Sequence, residues 1–274
     1  MKIAVIQEWE NRLRASEEAE EDCLCGVVLA WEGAYRKGDR IEFSDLQPGE
    51  FYVVKADAAL EEALVFVDRE TIVYQIPFYE KKESMNPLAF CGSRHYLSIR
   101  RAQEFEIKVY RNLARNPFDQ HEASGVYPHA SANVETRGES VFAAKNAIDG
   151  VLAAKQHGEW PFASWGINRK KDAAFMLDFG RAVDFDRIVL YTRADFPHDS
   201  YWTKAVFTFS DGSTETVHME KKVQKPHIFG IKREGITWLK LDQLEKAPDD
   251  SPFPALTQIE VYGTEHRAFS EKRS

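Results

Sequence analysis

At 274 residues the chain has room for two domains, each able to bury its own core. Its 43% hydrophobic and 29% charged residues exclude a disordered or fibrous protein, and its net charge of -8 argues against a nucleic-acid partner, which calls for basic patches. No apolar run reaches the roughly 18 residues that span a bilayer, so no membrane partner is expected.

In chain order, the start MKIAVIQEWENRLR lacks the long apolar core of a signal peptide. With Cys23, Cys25 and Cys91 making a poor disulfide framework, a cytoplasmic protein with buried thiols is expected. The acidic run EEAEED (17–22) reads as the solvated face of a helix beginning near Glu8. Short segments rich in Val, Ile and aromatic residues then read as strands, at 26–31, 39–44, 51–56, 62–67, 71–76 and 95–100. After a polar Asn/Pro stretch at 110–120, further strands are predicted at 173–180, 186–192, 204–210, 213–219, 236–242 and 256–263. SDGS (210–213) is a hairpin turn, because glycine takes positive φ freely. Many short strands and few helices predict an all-β chain of two tandem β-sandwiches: residues 1–110, residues 111–265 and a tail at 266–274.

Two stretches hold the candidate site residues. HGEWPFASWGINR (157–169) places Trp160 and Trp165 five residues apart across a proline, a spacing of neither helix nor strand. One tryptophan, Trp160 before Trp165, is expected to face a ligand, since aromatic faces stack on the apolar side of a sugar ring. The other would plug the sandwich. Asn168 and Arg169 could meet hydroxyl or carboxylate groups. RADFPHDSYW (193–202) leaves the strand DRIVLYT. Arg193 offers a planar donor fork, Asp195, His198 and Asp199 offer hydroxyl partners, and Phe196, Tyr201 or Trp202 a stacking face. Two other readings stay open there: Arg193 paired internally with Asp195 or Asp199, and Trp202 in the core. Consecutive His198, Asp199 and Ser200 cannot converge as a catalytic triad, and Asp195 with Asp199 makes a weak glycosidase pair. DDSPFPAL (249–256) reads as a rigid connector.

Five stretches of the second half resemble the discoidin, or factor V/VIII type C, family, which includes many bacterial carbohydrate-binding modules. They are RNLARN (111–116), ASANVE (130–135), AAKNAIDG (143–150), DRIVLYTR (186–193) and LTQIEVYG (256–263). The resemblance implies a galactose-binding-like jelly roll with ligand loops at one end. It also implies a structural calcium ion held by Asp149, by the carbonyls of Asn146 and Ala154, and by Glu260. VLAAK after Gly150 lacks the Thr or Asn usual there, and Asp149 capping the turn is the alternative.

These readings lead to an expected non-catalytic protein that binds a glycan or sugar-like ligand, with no cofactor beyond that calcium; a homo-oligomer would be compatible. Two alternatives stand beside it: a protein-interaction module, and a hydrolase resembling the two tandem sandwiches of allantoicase.

Overall fold

Period-two alternation places the first core. In the strand Asp39–Ser44, Ile41 and Phe43 are fully buried, while Arg40 and Glu42 face outward and pair at 2.7 Å. The structure, a computed structural model, describes residues 1–19, 25–121, 125–152, 157–196 and 198–266. Its first strands are β1 (Lys2–Gln7), β2 (Arg12–Glu18), β3 (Val27–Glu32), β4 (Asp39–Ser44), β5 (Glu50–Lys55), β6 (Ala63–Val67), β7 (Ile72–Gln75) and β8 (Arg94–Arg101). One sheet runs β2-β1-β4-β7 and the facing sheet contains β6-β5-β8-β3. Ile3, Val5, Phe43 and Tyr74 meet Tyr52, Val54, Val65 and Leu97 between them.

The helix expected from Glu8 is absent. Residues 12–18 form the edge strand β2, with Glu18 opposite Lys2 and Ala15 opposite Val5 in the ladder with β1. Tertiary pairing overrides helix propensity here, and the exposed acids on β2 suit an edge that must not recruit another chain. The thiols also depart from expectation. Cys25 and Cys91 are exposed, because both fall on loops rather than on an inward strand face. Cys23 lies outside the described residues. Among the described residues no helix is long and apolar enough to cross a membrane.

The segment between the sandwiches belongs to both. After the five-residue helix α1 (Glu104–Lys108), β9 (Arg111–Asn112) pairs with the final strand of the chain. Phe118 then returns to the first core, and β10 (Val126–Tyr127) extends the first sandwich beside β6. Only from β11 (His129–Ala132) does the chain stay in the second sandwich.

That sandwich continues with β12 (Trp165–Gly166), β13 (Phe175–Thr192), β14 (Trp202–Phe209), β15 (Thr214–His218), β16 (His227–Phe229), β17 (Arg233–Lys246) and β18 (Ala255–Glu265). The strands expected at 173–180 and 186–192 are one 18-residue strand, β13. Its first part pairs with β11 and β17, and its second part with β16 and β18. A strand that changes sheets must bend, and Gly180 supplies the bend at φ +68. A Cβ there would lie 2.2 Å from the Tyr127 ring, so glycine also admits the linker against the corner. Arg181 follows, bonded twice to Glu265 at 2.9 Å, with its guanidinium 4.9 Å from the Phe51 ring of the first sandwich. Glu265 also accepts from Arg111 at 2.6 Å, so one carboxylate ties the linker to the corner.

Candidate ligand site

The loop after β13 is pinned from within. Arg193 is 1% exposed. Its Nε and Nη2 donate to the two carboxylate oxygens of Asp195 at 2.8 and 2.9 Å, and Nη1 donates to the Phe162 carbonyl at 2.6 Å. Of the two readings of Arg193, the internal ion pair is the arrangement found. A charge this deep requires pairing, and each of its three guanidinium nitrogens donates to the protein. With Asp195 committed to Arg193, Asp195 and Asp199 do not form a free pair of acids.

The tryptophans sort by burial. Trp165 and Trp202 are fully buried, with ring centroids 6.2 Å apart, and Trp165 Nε1 donates to the Val134 carbonyl at 3.0 Å. Both belong to the core and offer no face to a ligand. Trp160, Asp199 and Tyr201 are half-buried and do not line the pocket described next.

Loops from four places close around a pocket of about 110 Å³ at one end of the second sandwich. Thr136, Arg137 and Phe142 follow β11; His157 precedes β12; Ile167, Asn168 and Arg169 follow it. His198 comes from the pinned loop, and Phe253 and Pro254 lead into β18. Of the residues picked out in the sequence, Asn168, Arg169 and His198 meet here. Arg137, Phe142, His157 and Phe253 were missed. DDSPFPAL is therefore a wall of the pocket as well as a connector.

The turn carrying Asn168 and Arg169 is tight. Lys170 N donates to the Ile167 carbonyl at 2.8 Å, and both central residues are left-handed, at φ +47 and +59. Such a turn favours Asn or Gly, so arginine at the second position is strained. Asn168 N donates to Thr136 Oγ1 at 3.0 Å, which fixes the turn to the opposite wall. Arg137 on that wall is also left-handed, at φ +53. Backbone strain gathered at one rim is a recurring mark of functional loops.

His198 is 7% exposed, and its Nδ1 faces the Phe253 carbonyl at 3.1 Å. A carbonyl only accepts, so Nδ1 carries the proton and Nε2 is an acceptor, enclosed and with no partner among the described residues. Burial, then the Arg193 charge, pushes its pKa down to about 4, so the ring is neutral at physiological pH. Phe142 lies 5.6 Å and His157 5.3 Å from it, ring to ring. Ser200, two residues on, is fully buried, with its hydroxyl 3.4 Å from Lys246 Nζ. No triad geometry arises.

The side chains around the loop expected to hold calcium make hydrogen bonds within the protein. Asn146 donates from Nδ2 to the Ser140 carbonyl at 2.8 Å, and its Oδ1 accepts from Lys145 Nζ at 3.2 Å. Asp149 accepts from Val151 N at 2.8 Å, the turn-capping alternative, and burial raises its pKa to about 7. Gln258 bridges the loop, taking Gly150 N at 3.2 Å and giving to the Ala147 carbonyl at 2.7 Å. Glu260 instead accepts from the Tyr262 hydroxyl at 3.2 Å. Ala154 lies outside the described residues, among which no group of three His, Cys, Asp or Glu could hold a metal. Lys145 and Arg115 both bring positive charge to this loop.

No protein family matches the sequence, and no curated protein does. Solved structures to which the chain is similar include chitosan-binding module 1 of a chitosanase/glucanase from Paenibacillus sp. IK-5, at 18% identity over 56% of this chain and 98% of that one, with a TM-score of 0.38. A Streptococcus pneumoniae fucose-binding module matches at 11% identity over 57% and 96%, with a TM-score of 0.41. A Clostridium perfringens protein in complex with GlcNAc-alpha-1,4-galactose matches at 18% identity over 59% and 97%, with a TM-score of 0.40.

Proposed function

We propose that the protein binds a carbohydrate, without chemistry, in the pocket at the end of the second sandwich. The observation that carries the reading is the make-up of the pocket. Phe142, His157 and Phe253 form an aromatic wall, and Asn168, Arg137 and Arg169 form a polar rim above it. A sugar presents one face of C–H groups and an edge of hydroxyls, and these two linings match them. The small volume suits the end of a glycan better than an enclosed molecule. Nothing in the lining supplies a nucleophile with an adjacent base.

The test is a glycan array followed by calorimetric titration of the full chain, with Phe253→Ala beside it. Binding that is lost with Phe253→Ala while the fold persists supports the reading. Absence of any glycan hit overturns it. One observation favours a protein-docking surface instead: Phe196, on the pinned loop, is 83% exposed. If Phe196→Ser alone changes the oligomeric state measured by light scattering, that second reading gains.

A further inference from the structure

We infer that the ligand of this pocket is an acidic sugar, a glycan end bearing a carboxylate, and the inference rests on the sugar-binding reading above. The whole chain is acidic, with 44 Asp and Glu against 36 Lys and Arg. The lining inverts that balance. Its charged side chains are Arg137 and Arg169, and among the described residues the lining contains no carboxylate.

The two arginines differ in what they already hold. Arg137 forms a two-pronged pair with Glu139 at 2.6 and 2.7 Å, and its guanidinium lies 5.6 Å from the Phe142 ring centroid. Arg169 is exposed and lies 4.6 Å from the Phe253 ring centroid; among the described residues it pairs with no carboxylate. Its neighbour Lys170 takes the nearby Asp172, at 3.8 Å. Arg169 is thus a planar two-donor fork, laid on an aromatic wall, at the rim of a cavity that offers no negative charge. Stacking on Phe253 leaves the N–H edges of the fork for an anion.

Backbone strain supports the same assignment. Arginine occupies a left-handed position where glycine would be unstrained, and the Thr136 hydroxyl holds the turn in place. That strain brings to the pocket a guanidinium that pairs with no carboxylate among the described residues. A carboxylate presents two oxygens in the plane of the fork, the pairing that Arg137 already makes with Glu139 on the facing wall. His198, neutral at physiological pH, leaves the anion preference to the arginines, of which Arg137 already holds Glu139.

The experiment is calorimetric titration of the full chain with galacturonic and glucuronic acids, their methyl esters, the neutral parent sugars and a 6-sulfated galactose. Each is measured at low and high salt. The acids should bind about tenfold tighter than their esters, the effect of one charge-assisted pair of hydrogen bonds. Salt should narrow that gap. Arg169→Gly removes the fork while relieving the left-handed strain, so it should fold as the parent does and bind acid and ester equally. Esters or neutral sugars binding as tightly as the acids would overturn the acidic preference and leave the sugar-binding reading standing. A tighter sulfated sugar would overturn the carboxylate assignment. Failure of every sugar would remove the sugar-binding reading, and this inference with it.

Discussion

Arg193→Met separates a structural arginine from a binding one. Arg193 is 1% exposed and makes three hydrogen bonds, two of them to Asp195. Its removal strands the Phe162 carbonyl and leaves Asp195 without its countercharge. Breaking a buried ion pair costs about 3–5 kcal/mol. Asp195 retains 17% side-chain exposure and can recover some hydration, so the low end, about 3 kcal/mol, applies. In a fold of this size each kcal/mol moves the melting temperature by about 2–4 °C, so a fall of roughly 6–12 °C is expected. The assay is thermal melting by circular dichroism, with Asp195→Asn and the double variant completing a cycle. The double variant should be less destabilised than the sum of the two single variants. Arg193→Met melting within about 2 °C of the parent would refute the reasoning, since so small a loss fits only an exposed arginine.

Three more outcomes follow from the geometry. His198 has a folded pKa of about 4, below its ordinary 6.5, so between those values the unfolded chain takes a proton that the folded chain refuses. Stability should therefore fall as pH drops from about 6.5 toward 4, by up to about 3 kcal/mol, and His198→Gln should flatten that slope in urea melts across the window. Excess calcium or chelator should leave the melting temperature unmoved where Asp149 caps the turn through Val151 N and holds no ion. Lys145→Met should lower it, since the ammonium reaches both Asn146 Oδ1 at 3.2 Å and Ser84 Oγ of the first sandwich at 3.3 Å; a calcium-dependent rise in the parent would reverse this account. Gly166→Ala would place a Cβ 2.6 Å from Thr136 Oγ1, the oxygen that anchors Asn168. It should cost about 1–3 kcal/mol and weaken glycan binding more than Phe196→Ser does, as read by calorimetry.

The fold was largely legible because sheets write themselves into sequence with a period of two. Asp39–Ser44 alternates in sequence as it does in burial, and SDGS makes its turn with Gly212 at φ +82. What stayed hidden depended on partners distant in the chain. The acidic run after Glu8 resembles a helix face until β1 offers it a ladder, and nothing local says that β13 passes through Gly180 without ending. The linker gave no sign that Phe118 and Val126 rejoin the first sandwich, because a single phenylalanine or valine does not say which core it enters.

The site was half legible for a more specific reason. RADFPHDSYW looks like a recognition loop because it is rich in polar and aromatic groups, but a loop folded over a sandwich end needs such groups for itself. Its backbone and charges must find partners inside. Arg193 closes on Asp195, His198 N donates to the Asp195 carbonyl at 2.5 Å, and Trp202 fills the core. Beside Asn168, Arg169 and His198, part of the lining sits on plainer stretches, TRGESVF at 136–142 and SPFP at 251–254, where one arginine and two phenylalanines face the pocket. Arg193 and Arg169 are the same residue type in equally suggestive surroundings. Asp195, two residues after Arg193, pairs with it, while no carboxylate among the described residues pairs with Arg169, and this separates the arginine that holds the loop from the one that faces the pocket.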